Sequence, residues 1–145
     1  MSLFPASTNG AYSGSTVSAG FLGLVGLLTI APGCIHYFLP DGGASVIAGM
    51  DLSQNRDVVL AMFAWMGAMQ IPHGIAEVVV ALRYRTLTPL FLLLAFVERG
   101  LMAYDGWFGK ASVSGHHPPE HYASVIALPL ILLFFVLSLR SRGTR

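Results

Sequence analysis

The residues of this chain that could do chemistry fall into two groups, one inside an apolar stretch and one in a polar loop. Residues 57–82 are apolar enough to lie in a bilayer, yet they include Gln70, His73 and Glu77. An ionisable group in hydrocarbon is costly, so it marks a binding or proton-transfer site unless a partner accounts for it. An imidazole can take up and return a proton, and a nearby carboxylate can serve as its base or orient it. The next apolar run adds Glu98 and Arg99. As neighbours on a helix these two point about 100° apart and need separate partners.

The second group is His116, His117, Glu120 and His121, joined by His36 near the end of the first apolar run. Imidazoles gathered at one surface suit zinc, copper or iron, which makes His116, His117 and His121 candidate metal ligands. A bis-histidine haem between His36 and His121 is compatible with their depth, and Cys34 with the methionines could supply soft ligands for Cu(I). The run from His117 to His121 also fits the inverted zinc-protease pattern H-x-x-E-H. That motif needs a regular helix, whereas Pro118 and Pro119 suit only a helix entrance. On the plainer reading, Glu120 simply faces the positive end of the fourth helix.

These residues need helices to position them. With 54% hydrophobic and 10% charged residues in 145, the chain departs from soluble composition, where about a quarter of residues are charged. Residues 17–39, 58–82, 89–104 and 122–139 are four apolar runs of roughly bilayer-spanning length, the third reaching it when extended to Phe108. The expected architecture is an all-α integral membrane four-helix bundle. Residues 1–16 form a flexible polar tail, 17–140 the transmembrane domain and 141–145 a basic tail. The first run exceeds a signal peptide's apolar core and is preceded by no Lys or Arg, so it is expected to be retained. A single cysteine leaves the redox compartment open, and a net charge of +1 without a basic cluster argues against nucleic acid.

Arg83 and Arg85 fall in the second connection, and Arg140, Arg142 and Arg145 follow the last run. With four spans these share one side, which puts both termini in the cytoplasm and the protein in a bacterial inner membrane. The opposite connections set Arg56 and Lys110 against Asp41, Asp51, Asp57, Asp105 and Glu120. Asp51 with Gln54 reads as a capping box before the second helix. The short turn before Pro89 predicts that helices two and three are antiparallel neighbours. Gly20, Gly23 and Gly26 allow another helix to approach closely, which favours a homo-oligomer. Pro32 and Pro72 each remove a helical amide inside a span.

Met62, Met66, Met69, His73 and Glu77 recur every three or four residues and so share one stripe of helix two. Methionines at this spacing commonly fill an irregular core. Counting about 1.5 Å per residue from the Arg83 end places His73 at roughly 15 Å, and Gln70 and Glu98 at roughly 18 to 20 Å. These three are expected to meet between helices two and three. Glu77, at roughly 9 Å, would lie nearer the surface beside Arg83 or water. Two functions compete. One is a ligand-binding or redox-associated accessory subunit whose pocket opens toward the outer face and holds an apolar small molecule through Gln70, Glu77, Arg99 and His36. The other is an isomerase-like membrane enzyme in which His73 and Glu98 exchange protons with a lipid-soluble substrate.

The four short spans, the turn Pro40-Asp41-Gly42-Gly43 after the first helix and the basic C-terminal tail together resemble the DoxX-like group of small membrane proteins. The resemblance covers the topology of nearly the whole chain. It implies a four-helix membrane fold and a link to quinone-dependent sulfur oxidation, and it assigns no site residue.

Overall fold

The computed structural model describes residues 3–109 and 115–141, which leaves Lys110, Arg142 and Arg145 of the charge pattern outside the described residues. It contains α1 (Thr16–Phe38), α2 (Arg56–Arg83), α3 (Thr88–Trp107) and α4 (Pro119–Leu139), with no strand among the described residues. Four helices are long and apolar enough to cross a membrane, and the fold is the expected all-α bundle.

The helices associate as two pairs, α1 against α2 and α3 against α4. The expectation that α2 and α3 pack as neighbours is corrected, because these consecutive helices scarcely touch along their length. The reason lies in glycine placement. Gly26 and Gly33 on α1 are two turns apart, as are Gly67 and Gly74 on α2, so each pair lies on one helix face. A Cβ added at Gly74 would sit 2.6 Å from the Gly26 carbonyl oxygen, and one at Gly67 would sit 2.6 Å from that of Gly33. Backbone meets backbone at both places, which van der Waals packing in lipid rewards. Gly26 is therefore used inside the chain, and Gly20 has no neighbour within 4 Å.

The four helices converge only in the half of the bundle nearer Arg83. There Leu22, Val25, Val80, Ala81, Leu92 and Ile131 form one buried cluster with Ala95, and Phe21 stacks on Phe134 with ring centroids 4.1 Å apart. Toward the other end α2 and α3 part and leave a cavity.

Where composition leads one to expect a flexible tail, Pro5 to Asn9 are hydrogen-bonded to the end of α2. The Thr8 amide donates to the Arg83 carbonyl over 3.0 Å, the Asn9 side chain to that of Leu82 over 2.7 Å, and Arg83 itself to the Pro5 carbonyl. Helix ends leave carbonyls without helical partners, and this segment satisfies them. The capping-box expectation is also corrected. Asp51 instead accepts from the amide and hydroxyl of Ser53, and α2 begins after Asn55 in a left-handed conformation with φ 57°. Helix α3 begins at Thr88, after a 3-10 turn at Arg85–Leu87.

Asp41 organises the turn after α1 by accepting from the amides of Gly43, Ser45 and Val46 at 3.0 to 3.2 Å. Gly42 and Gly43 have φ of 62° and 77°, a region costly for other residues. The apolar patch that follows is outward, with Val46 83% exposed. The Val46 and Gly43 amides hold the Asp41 carboxyl below its ordinary value of 3.8. A depressed carboxylate stabilises the fold above its unfolded value and loses that contribution as pH falls through the folded value. The Gly43 and Val46 amide NMR shifts should therefore titrate together with a midpoint below 3.8, and Asp41→Asn should abolish the step. A midpoint at or above 3.8 would contradict the cap.

Candidate functional site

The cavity between α1, α2 and α3 has a volume of about 700 Å³. Its lining is mostly apolar, with Met62, Phe63, Trp65, Met66 and Met69 from α2 and Met102 from α3. The polar part consists of Thr29 from α1, Gln70 and His73 from α2 and Glu98 from α3. Met62, Trp65 and Met69 are more than half exposed, so the mouth lies along the flank of the bundle as well as toward one end. The methionine stripe is thus the wall of a cavity rather than core filling.

Gln70, His73 and Glu98, expected to meet, line one cavity together. His73 Nε2 lies 3.6 Å from a Glu98 oxygen and 3.5 Å from Glu77 Oε1. The expected surface position of Glu77 is corrected, since only 1% of it is exposed. Gly26 explains this. Without a side chain there, α1 lies so close to α2 that a Cβ on it would come 3.0 Å from the Glu77 Cβ. Gly33 does the same beside the Gln70 Cβ, again at 3.0 Å. The glycine contacts that join α1 to α2 therefore also place two site residues.

Several polar atoms at this site are unsatisfied. Gln70 Oε1, His73 Nε2 and Glu77 Oε2 are shut off from solvent and lack a hydrogen-bond partner among the described residues. Thr29 lies beside Glu77, but its hydroxyl donates to the Val25 carbonyl over 3.0 Å. It therefore offers the site only a lone pair. Buried polar atoms in folded proteins are almost always paired, so the two in the cavity lining, Gln70 Oε1 and His73 Nε2, call for an explanation.

Glu98 and Arg99 diverge as adjacent helix positions must. Glu98 faces the cavity, and Arg99, only 13% exposed, pairs with Glu120 in the first turn of α4. Arg99 thereby fastens α3 to α4 and leaves the ligand-binding set expected for it. His36 also stands apart. Its Nδ1–H donates to the Gly42 carbonyl over 2.7 Å, and its ring meets Phe63 edge-on.

Among the described residues, His116, His117 and His121 do not converge as a metal centre. His116 Nε2 donates to the Ala48 carbonyl over 2.7 Å, tying the last connection to the first. His117 and His121 share a hydrogen bond of 3.1 Å between their Nδ1 atoms. His117 also stacks on Trp107 at 4.2 Å, and His121 packs against Gly106. No group of three metal-ligating side chains occurs among the described residues. The reason is local. Pro118 and Pro119 start α4, so His117 sits outside the helix while His121 is on it, and His116 is drawn away to the neighbouring loop.

Sequence reasoning missed Thr29, Phe63, Trp65 and Met102 as cavity residues. Trp65 had a visible signal, since it stands four and eight residues before Met69 and His73 on the same stripe. Thr29 had none, because its place depends on how α1 meets α2. No protein-family model, curated protein or solved structure matches this chain, whose function must therefore be read from this geometry.

Proposed function

We propose that this is a small ligand-binding protein of the membrane whose cavity takes up an apolar molecule and holds its polar end at Gln70, His73 and Glu98. The observation that carries the reading is the coincidence of a cavity of about 700 Å³ with buried polar atoms in its lining, Gln70 Oε1 and His73 Nε2, that make no hydrogen bond among the described residues. Ligand pockets have this make-up, mostly apolar walls with a few convergent polar groups. An exposed flank gives a lipid-soluble molecule a route in from the bilayer. The arginine pattern orients the Arg83 end toward the cytoplasm, with both termini there and the protein in a bacterial inner membrane. A quinone is the ligand that the DoxX-like resemblance favours.

Filling the cavity tests this. Protein purified in mild detergent should carry about one extractable apolar molecule per chain by mass spectrometry, and Met66→Trp should release it without lowering the melting temperature. Equal content in both proteins would sink the proposal.

One observation favours a second reading, in which the ligand is a substrate. His73 Nε2 is within 3.6 Å of two carboxylates, so the ring could take a proton from one side and pass it to the other. Deuterium from heavy water should then enter the bound molecule in the native protein and not in His73→Gln.

A further inference from the structure

The polar end of the cavity is unbalanced in both hydrogen-bond type and charge. Gln70 Oε1 is an unpartnered acceptor. The Thr29 hydroxyl proton is committed to Val25, so only oxygen lone pairs remain to it. Glu98 accepts, and behind His73 the buried Glu77 keeps a second unpartnered oxygen. Besides the Gln70 amide group, the donor facing these acceptors is the ring of His73, whose Nε2 faces both carboxylates and can donate to only one at a time. Arg99, the fixed cation next in sequence to Glu98, is paired with Glu120. A molecule that completes this site should bring hydrogen-bond donors and positive charge.

We propose that the cavity selects a lipophilic amine in its protonated form, with the ammonium between Glu98 and Gln70 and the apolar body along Met66, Met69 and Trp65. This rests on the reading that the cavity holds a ligand, and it specifies that ligand's class. An ammonium carries donors only, matching the excess of acceptors. A carboxylate or phosphate ligand would meet Glu98 and Glu77 with like charge. A quinone brings only acceptors and so offers Glu98 neither a donor nor positive charge.

The test uses the unaltered chain in lipid nanodiscs and equilibrium dialysis of radiolabelled dodecylamine, dodecanol, dodecanoate and a decyl-substituted benzoquinone. Protein-free discs are subtracted to remove partition into lipid. Dodecylamine should bind saturably and about tenfold or more tighter than dodecanol, as a charge-assisted hydrogen bond implies. Dodecanoate should not compete. Glu98→Gln should remove most of the preference for amine over alcohol while keeping the native melting temperature. Should Glu98→Gln melt early, Gln70→Leu serves as the second variant, with the same loss of preference expected. Equal binding of amine and alcohol, or tighter binding of the quinone, would overturn the amine assignment and leave the ligand-binding reading standing. If none of the four binds above the protein-free discs, both fall.

Discussion

Replacing Gly74 by alanine is expected to lower the stability of the detergent-solubilised protein by about 1–3 kcal/mol, the range for forcing extra carbon into a filled interface. The added Cβ would stand 2.6 Å from the Gly26 carbonyl oxygen, 2.7 Å from an Ile30 side-chain carbon and 3.0 Å from the Ile30 amide nitrogen. Two of these three are backbone atoms that cannot swing aside. Helix α1 must therefore retreat from α2 as a body, withdrawing Thr29 from the site and uncovering Glu77. The damage should extend beyond stability to ligand content. Gly20→Ala is the control, because nothing lies within 4 Å of a Cβ there and alanine favours a helix by up to about 1 kcal/mol over glycine. A thermal melt of both variants decides the matter. Equal melting of Gly74→Ala and Gly20→Ala would remove the glycine contacts as the link between the helices.

How much of this was legible in the sequence differs by element, and the differences have physical causes. Helix identity was readable because a span must be long and apolar, a local property. The meeting of Gln70, His73 and Glu98 was readable because two spans joined by a short turn share a depth scale. Depth is not burial, however. Glu77 is about two turns from the end of α2, yet it is the most covered carboxyl at the site, because α1 crosses α2 at Gly26 and Gly74. The seven-residue spacing of Gly26 with Gly33 and of Gly67 with Gly74 was present in the sequence. Spacings of three in the first run were more conspicuous, and they drew attention to Gly20, which touches nothing within 4 Å.

The loops were the least legible part. His116 binds a carbonyl 68 residues away, and neither helical period nor apolar length predicts such a partner. The histidine cluster suggested a metal because its members are neighbours in sequence, whereas the fold pairs His117 with His121 and draws His116 away to Ala48. The N-terminal segment was misjudged for a related reason. Its Ser, Thr and Asn residues look solvated in isolation, but Asn9 and Thr8 meet the carbonyls that the end of α2 leaves open. Polar composition does not distinguish a loose tail from a cap whose partners lie more than seventy residues away.

Glu77→Met should separate function from stability most sharply. The substitution keeps approximate volume and removes a carboxylate whose Oε2 has no partner among the described residues. Where a buried ion pair is incompletely satisfied, well-packed apolar replacements of similar volume are often neutral or stabilising by about 1–4 kcal/mol. The variant should therefore melt at or above the native temperature. Its binding should move the other way, because His73 loses one of the two carboxyl groups that its Nε2 faces. Dodecylamine affinity is expected to fall about tenfold, while dodecanol, which carries no charge, is bound as before. If Glu77 instead serves to hold α1 against α2, melting temperature and affinity will drop together, and affinity for the alcohol will drop with them. A more stable protein that binds the amine poorly would mean that Glu77 is kept in the membrane for its charge, at the expense of packing.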